Sequence, residues 1–226
     1  MAIIICSDRD GTITKDENYY LGKQEHWKTL VQFLDGVVEG IIALNRIPRS
    51  YFYITSNQAG VALADPEFEQ LTEERMHEVM QYVVAQLSNQ NARIDGYFTC
   101  PYVDSAYVAK KKGKATVHPH YVKDGYPFLK PNPGMVEAAI VELHKKAGMD
   151  EPVECVYVIG DRYSDMELAM NVGNKGIPSK GILVPEHKTN ELGDEEKVRA
   201  LVAQDISRWH IAKNFRDAAH WIERDV

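Results

Sequence analysis

The stretch Ile3-Ile4-Ile5-Cys6-Ser7-Asp8-Arg9-Asp10-Gly11-Thr12 decides how this chain folds. Its apolar, β-branched first half predicts a buried strand that ends near Asp8. Side chains alternate along an extended backbone, so Asp8 and Asp10 can face one ligand while Arg9 faces away. Gly11 then allows a sharp turn. The alternative is an Asx-type turn after an edge strand, which would carry no chemistry.

The length and composition indicate one globular domain over residues 1–226. With 226 residues, 44% of them hydrophobic, the chain can bury a sizeable core. The net charge of -7 argues against a broad surface for nucleic acid or anionic membrane. Cys6, Cys100 and Cys155 are typical of free thiols in a reducing compartment, and no apolar run predicts a signal peptide or membrane span. We therefore expect a cytoplasmic protein that does not bind membranes, and we leave its oligomeric state open.

Apolar runs typical of strands alternate with helical patterns along the chain. Strands are predicted at the apolar run 3–6 and at 51–54, 97–100, 155–159, 181–184 and 209–212. Helices are predicted from about Asp35 as N-cap, from Asp65-Pro66 or Thr72, and from Asn132 to Gly148. This alternation predicts a doubly wound parallel α/β sheet of Rossmann type.

The composition of residues 101–129, rich in Tyr, Lys, His, Gly and Pro, predicts a long loop. Loops of this length are usually functional or mobile. The run Lys110-Lys111-Lys112-Gly113-Lys114 in this segment is expected to be solvated. The alternative is that these charges bind a second phosphate or a nucleic-acid end.

Polar clusters follow the predicted strands or precede a helix. They are Asp8 and Asp10, Ser56 and Asn57, Lys130, and Asp161 and Asp165. Because strands of a parallel sheet end at one edge, we expect the clusters to converge. Carboxylates from different strands favour a hard cation such as Mg²⁺, which keeps coordination positions for phosphate oxygens. Ser56, Asn57 and nearby backbone N–H groups can bind that phosphate, and Lys130 supplies positive charge, so the pattern indicates phosphoryl transfer.

In order and content, these clusters resemble the motifs of the haloacid dehalogenase (HAD) superfamily of Mg²⁺-dependent phosphatases. The first motif, Asp-x-Asp-Gly-Thr, is complete from Asp8 to Thr12. Ser56 and Lys130 resemble the second and third motifs, and Asp161 with Asp165 resembles the fourth. The flanking residues are similar to the histidinol-phosphatase and D,D-heptose 1,7-bisphosphate phosphatase group.

The resemblance implies a role for each motif residue. Asp8 is the expected nucleophile, which forms an aspartyl-phosphate, while Asp10 gives a proton to the leaving alcohol and later activates water. Mg²⁺ is expected at Asp8, at the backbone carbonyl of Asp10 and at Asp161. Asp165 and Thr12 are expected to support the site, with Asp165 orienting the catalytic lysine or a metal-bound water.

The sequence departs from that group in three places. The segment between the first two motifs is too short for a large helical cap domain, so substrate selection is expected to depend on loops, chiefly 16–26, the turn after Gly60 and 101–129. Only Cys100 remains of the zinc-binding cysteines in the heptose branch; His118 and His120 are candidate partners, but tetrahedral zinc needs a fourth ligand, so zinc is not expected. Leu129 stands where the group has an arginine before the lysine.

The predicted function is hydrolysis of a small phosphate ester, of the sugar phosphate or histidinol phosphate type. One alternative is a nucleic-acid 3′-phosphatase, which the acidic net charge disfavours. Another is a phospho-accepting signalling domain, which would retain its phosphate. The pair Asp8 and Asp10 on the first strand, and Lys130 before Asp161, favour turnover.

Overall fold

A six-stranded parallel sheet forms the centre of the molecule. The computed structural model describes residues 1–16, 20–147, 152–186, 189 and 191–226. The strands are β1 (Ala2–Ser7), β2 (Ser50–Asn57), β3 (Gly96–Cys100), β4 (Val153–Gly160), β5 (Ser179–Leu183) and β6 (Trp209–Ile211). Their order across the sheet is β3-β2-β1-β4-β5-β6, and all neighbours run parallel. The predicted doubly wound fold is therefore confirmed.

Strand β1 lies at the centre of the sheet, between β2 and β4. All six of its residues are buried. Ile3 and Ile5 face one core, whereas Ile4 and Cys6 face the other. A strand covered on both faces needs an unbroken apolar run rather than an alternating one, which explains the sequence that opens the chain.

Helices cover both faces of the sheet. Those that the structure describes are α1 (Val37–Asn45), α2 (Glu73–Ser88), α3 (Ser105–Lys111), α4 (Gly134–Ala147), α5 (Tyr163–Asn174), α6 (Asp194–Gln204) and α7 (Phe215–Asp225). Apolar residues of α1, α2 and α7 pack with Ile3 and Ile5, and those of α4, α5 and α6 pack with Ile4 and Cys6. Two cores on opposite faces hold the sheet rigidly, which fixes the positions of its strand ends.

Some predicted boundaries were wrong. Asp35 does not cap α1, because Gly36 takes the cap position with a left-handed φ of 75° that glycine adopts without strain. Strand β2 continues to Asn57, so Ser56 and Asn57 belong to the strand rather than to a following turn. Of the two predicted starts for α2, Thr72 is the cap, since its hydroxyl accepts a hydrogen bond from the Arg75 N–H at 3.2 Å.

The predicted loop at 101–129 is partly helical, which corrects the sequence interpretation. Helix α3 begins after Asp104, whose carboxylate accepts a hydrogen bond from the Tyr107 N–H at 2.7 Å. A 3₁₀ turn also forms at Pro119–Tyr121. The segment is pinned to the chain after β2, because the Ala64 N–H donates to the Thr116 carbonyl at 2.9 Å. It is therefore an ordered wall beside the strand ends.

The predicted end of α4 at Gly148 lies outside the described residues. In the part of the chain that is described, no helix has the length and apolar character needed to span a bilayer.

Candidate active site

The candidate site lies where the strand order reverses, between β1 and β4. Asp8 directly follows β1 and Asp161 directly follows β4. The Asp8 N–H donates to the Ile159 carbonyl at 2.8 Å, so the two strand ends remain in register up to the site. In doubly wound sheets, crossovers on either side of this point leave a crevice that holds ligands.

The turn after Asp8 is tight and depends on a glycine. The Arg9 carbonyl accepts hydrogen bonds from the N–H groups of Ile13 and Thr14, at 2.9 and 2.8 Å. Gly11 has a φ of 80°, and a Cβ atom at this position would lie 2.7 Å from Asp161 Oδ2. Glycine is therefore required here for both its backbone conformation and its small size.

Lys130 joins two carboxylates beneath this turn. Its Nζ lies 2.7 Å from Asp8 Oδ1 and 2.7 Å from Asp165 Oδ1. Asn57 holds the backbone of the lysine, since its amide accepts from the Lys130 N–H at 3.0 Å and donates to the Lys130 carbonyl at 3.2 Å. Asn57 on β2 thus positions a lysine that is distant in sequence.

Asp161 brings a third carboxylate to the same place. Oxygens of Asp8, Asp161 and Asp165 all lie within 4.8 Å of one another. Asp161 Oδ1 is buried and has no hydrogen-bond partner among the described residues. A buried carboxylate oxygen without a donor is costly, so the geometry is that of a site for a cation.

The crowding of these carboxylates changes their proton affinities. Burial raises the pKa of Asp161 to about 9, and the charges of Asp8 and Asp165 add to this effect. Burial also raises the pKa of Asp8 to about 6, against the opposing effect of Lys130. Burial opposes the charge of Lys130, but the Asp165 and Asp8 carboxylates outweigh it and raise the lysine pKa. One lysine therefore does not neutralise the cluster.

Arg9 does not simply face away, as the alternation of side chains predicted. It is fully buried, and its guanidinium folds back to Asp10. Nη2 of Arg9 lies 2.8 Å from both Asp10 oxygens, and Nε lies 3.0 Å from Oδ1. Gln58 adds a fourth hydrogen bond, from its Nε2 to Asp10 Oδ2 at 2.9 Å. Alternation fixes only the direction of Cβ, and an arginine is long enough to return.

Ser56 and Thr12 lie deeper than the sequence suggested. The Ser56 hydroxyl is buried and accepts a hydrogen bond from Gln58 Nε2 at 2.9 Å. Ser56 is not among the residues that line the cavity described below, whereas Asn57 is. Thr12 is fully buried, and its hydroxyl has no partner among the described side chains and backbone groups.

A cavity of about 370 Å³ opens over the carboxylates. Asp8, Asp10, Lys130, Asp161 and Asp165 line its floor, and residues of the 101–129 segment line its wall: Val103, Asp104, Tyr107 and Leu129. A neighbouring cavity of about 570 Å³ shares Asp10 and Tyr107 and reaches Lys110 and Lys111. The lysines of the 110–114 run therefore have different surroundings. Lys111 donates to the Tyr20 hydroxyl at 2.9 Å, whereas Lys112 and Lys114 are exposed.

The candidate zinc ligands are not brought together. Cys100 is buried at the end of β3, whereas His118 and His120 are exposed. Among the residues that the structure describes, the one cluster of side chains suited to a metal ion is Asp8, Asp161 and Asp165. Asp10 is absent from this side-chain cluster; its predicted metal contact was through the backbone carbonyl.

Sequence reasoning missed two residues, Arg9 and Gln58. Gln58 lies two positions after Ser56, so strand alternation could have placed both side chains on one side. Arg9 had a weaker signal, namely a charged residue between two carboxylates at the end of a fully buried strand.

Several proteins of known function are similar to this chain in sequence. The HAD-hydrolase-like family model matches residues 128–217. A D-glycero-β-D-manno-heptose-1,7-bisphosphate 7-phosphatase from Photorhabdus laumondii is 27% identical over 183 residues, which cover 77% of this chain and 79% of the relative. The enzyme of the same name from Rhodopseudomonas palustris is 29% identical over 178 residues, 77% of this chain and 81% of the relative.

A solved structure supports the fold. It is a D,D-heptose 1,7-bisphosphate phosphatase from B. bronchiseptica, complexed with magnesium and phosphate, with 18% identity, a TM-score of 0.64 and coverage of 100% of both chains. At that identity the likeness shows the fold alone. The sequence matches confirm the predicted resemblance to the HAD superfamily and the predicted class, a phosphatase.

Proposed function

We propose that this protein is a Mg²⁺-dependent phosphatase that hydrolyses a small phosphate monoester through an aspartyl-phosphate on Asp8. The observation that carries the proposal is the buried cluster of Asp8, Asp161 and Asp165 around Lys130, in which one Asp161 oxygen has no partner among the described residues. Such a cluster is incompletely balanced by the protein itself and suits a hard divalent cation.

The residues fit Mg²⁺ by their chemistry. Carboxylate oxygens of Asp8 and Asp161 and the backbone carbonyl of Asp10 would hold the ion, which needs oxygen ligands and retains open positions. When bound, the ion would reduce the repulsion between the Asp8 carboxylate and an anionic phosphate. Asp165 is committed to Lys130 and to the Arg162 N–H, at 2.7 and 3.3 Å, so we assign it to support rather than to metal binding.

Asp8 is the proposed nucleophile because it lines the cavity while its neighbours fix its position. Lys130 binds Oδ1, and the Asp8 side chain remains 12% exposed and lines the cavity. Attack of an Asp8 oxygen on phosphorus forms the aspartyl-phosphate, and the electron pair of the broken bond goes to the leaving alkoxide oxygen. That oxygen takes a proton from the Asp10 carboxyl group.

Hydrolysis then restores the enzyme. The Asp10 carboxylate accepts a proton from water as the water oxygen attacks phosphorus, and the electron pair of the broken P–O bond returns to Asp8. Lys130 balances negative charge on Asp8 and on the phosphate during both steps. Asn57 serves by holding the lysine backbone, and it also lines the cavity, where its amide can bind a phosphate oxygen.

Two features support a small substrate of the sugar phosphate or amino-alcohol phosphate type. The cavity of about 370 Å³ accommodates a small metabolite. The matched relatives are named for a sugar bisphosphate. Leu129, which also lines the cavity, stands where the heptose bisphosphate phosphatase group has an arginine, so we do not extend the proposal to heptose bisphosphate itself. The three cysteines are free and buried, which supports a reducing compartment, the cytoplasm.

The test is phosphate release from a panel of sugar phosphates, histidinol phosphate, nucleotides and an oligonucleotide 3′-phosphate. We expect release that requires Mg²⁺, stops with EDTA and is abolished in Asp8→Asn. Asp35→Asn is the matched control, because Asp35 is exposed and is not part of the site. Retained turnover in Asp8→Asn contradicts the proposal, and so does a stable phosphoprotein without release. Preference for the oligonucleotide contradicts the substrate class.

A further inference from the structure

We infer that Arg9 and Gln58 are positioning residues that hold the Asp10 carboxyl group against the cavity that it lines, where it can give its proton to the leaving oxygen. The inference rests on the proposed function, in which Asp10 is the proton donor. It concerns Arg9, at the variable position of the first motif, and Gln58, two residues after the serine of the second motif.

The contacts of Asp10 define one orientation. Both of its oxygens are bound, by three hydrogen bonds from Arg9 between 2.8 and 3.0 Å and by one from Gln58 at 2.9 Å. Its side chain is nevertheless 25% exposed and lines both cavities. A short side chain held by donors from two directions loses its rotational freedom while it still faces the ligand.

The two donors are themselves fixed from below. Arg9 has no exposed surface, its Nη1 lies 3.4 Å from the Met80 sulfur, and its Nη2 donates to Gln58 Oε1 at 3.0 Å. Gln58 also donates to the Ser56 hydroxyl at 2.9 Å. A buried arginine costs desolvation energy, so a site that retains one uses its planar fork for geometry rather than for stability.

A role in proton donation makes a prediction that a structural role does not. In the first step, the bond from phosphorus to the leaving oxygen breaks, and an alkoxide needs a proton as it leaves. A nitrophenolate leaves without one. Loss of Asp10 orientation should therefore slow the cleavage of an alkyl phosphate and spare that of an aryl phosphate.

The experiment measures kcat/KM for p-nitrophenyl phosphate and for the best alkyl phosphate of the panel, because kcat/KM reports the first chemical step. Gln58→Met removes one donor without a change of charge, and Arg9→Lys removes the fork but keeps a cation below Asp10. We expect each variant to lose at least about 10-fold more on the alkyl than on the aryl ester, within the range of general acid catalysis. In the Asp10→Asn background, Gln58→Met should change the ratio no further.

The control is Val83→Ala, a buried position of α2 in the core on the Met80 side, which weakens packing without a contact to Asp10. It should leave the aryl-to-alkyl ratio unchanged. An equal loss on both esters in both Gln58→Met and Arg9→Lys overturns the inference, even if Asp8→Asn is inactive. Turnover in Asp8→Asn instead overturns the proposed function, so the two failures are distinguishable.

Discussion

The Asp225 carboxylate and the carboxylates of the candidate site differ in how their charge is balanced. At the end of helix α7, Asp225 accepts a hydrogen bond from the Tyr157 hydroxyl at 2.5 Å and pairs with Lys180, whose Nζ lies 2.5 and 2.7 Å from its two oxygens. Asp161, at the end of β4, has a buried oxygen without any such donor among the described residues.

This difference indicates that Asp225 stabilises the fold, whereas the cluster at the candidate site is suited to binding a cation. The Asp225 group is complete without a ligand, so it can stabilise the attachment of α7 to the sheet. The cluster of Asp8, Asp161 and Asp165 gathers three carboxylates, two of them paired with one lysine, so we expect it to destabilise the fold until a cation binds. Removing charge should therefore have opposite effects on stability in the two places.

Asp161→Asn should give the largest effect. We expect Mg²⁺-dependent activity to fall by more than about 100-fold, since even residues that only support metal ligands cost about 10–100-fold. The metal-free variant should nevertheless melt higher than the metal-free wild type, by at least about 2 °C, or roughly 1 kcal/mol for a chain of this size. Calorimetry in EDTA and an activity assay in Mg²⁺ check both parts.

The same measurement with added Mg²⁺ sharpens the result. The wild type should gain thermal stability with increasing Mg²⁺, because the ion binds only the folded state, whereas Asp161→Asn should gain much less. A variant that melts lower than the wild type in EDTA would show that the Asp161 charge is already balanced in the metal-free protein.

Lys130→Met should have the largest effect on stability. It leaves Asp8 and Asp165 without the cation that now lies 2.7 Å from each. Removing one partner of a buried ionic group costs about 3–5 kcal/mol. Urea unfolding in EDTA measures this loss, and saturating Mg²⁺ should recover part of it. If unfolding in EDTA is unchanged, the lysine is not the main counter-charge of the cluster.

Asp225→Asn should have a smaller effect and should lower the stability of the fold. Asparagine keeps a bond to the Tyr157 hydroxyl but loses the charge of the Lys180 pair, whose side chains are about one quarter exposed. We expect a loss of about 1 kcal/mol and no change of kcat/KM. Urea unfolding alongside Asp35→Asn checks this; a gain of stability would remove the contrast between the two groups.

The pH dependence should show the smallest effect. The pKa of Asp161 is raised to about 9 and that of Asp8 to about 6, so the metal-free folded state binds protons that the unfolded chain has released. This contribution to stability is full below pH ~4 and is lost as pH rises through those values. In EDTA, the melting temperature of the wild type should fall as the pH rises from about 5 to about 8, and Asp161→Asn should make this fall less steep. Parallel curves for variant and wild type would contradict this sign.

Much of the fold was predictable because the sheet is buried on both faces. Continuous apolar runs such as Ile3-Ile4-Ile5-Cys6 identify central strands, and polar residues at their ends follow from parallel topology. The helical part of 101–129 was missed, although Asp104 before Ser105 is an N-cap signal, because α3 is short and has no fully buried residue.

The site was predictable where sheet topology determines it. The convergence of Asp8 and Asp161 follows from strand ends meeting at one edge of the sheet, whereas Lys130 precedes α4 and was predicted there from the pattern of polar clusters. The return of Arg9 to Asp10 and the depth of Ser56 depend on side-chain torsions and on packing against α2, which spacing does not specify. The pairing of Asn57 with the Lys130 backbone likewise joins two distant segments.

The most direct test of the central claim is to trap the acyl phosphate. The wild type is mixed with Mg²⁺ and p-nitrophenyl phosphate, quenched in acid and reduced with borohydride, which converts a phosphorylated aspartate to homoserine. Peptide mass spectrometry should then find homoserine at position 8 and unmodified aspartate at positions 10, 161 and 165. Homoserine at another aspartate, or an unmodified Asp8 in enzyme quenched during turnover, would contradict the account.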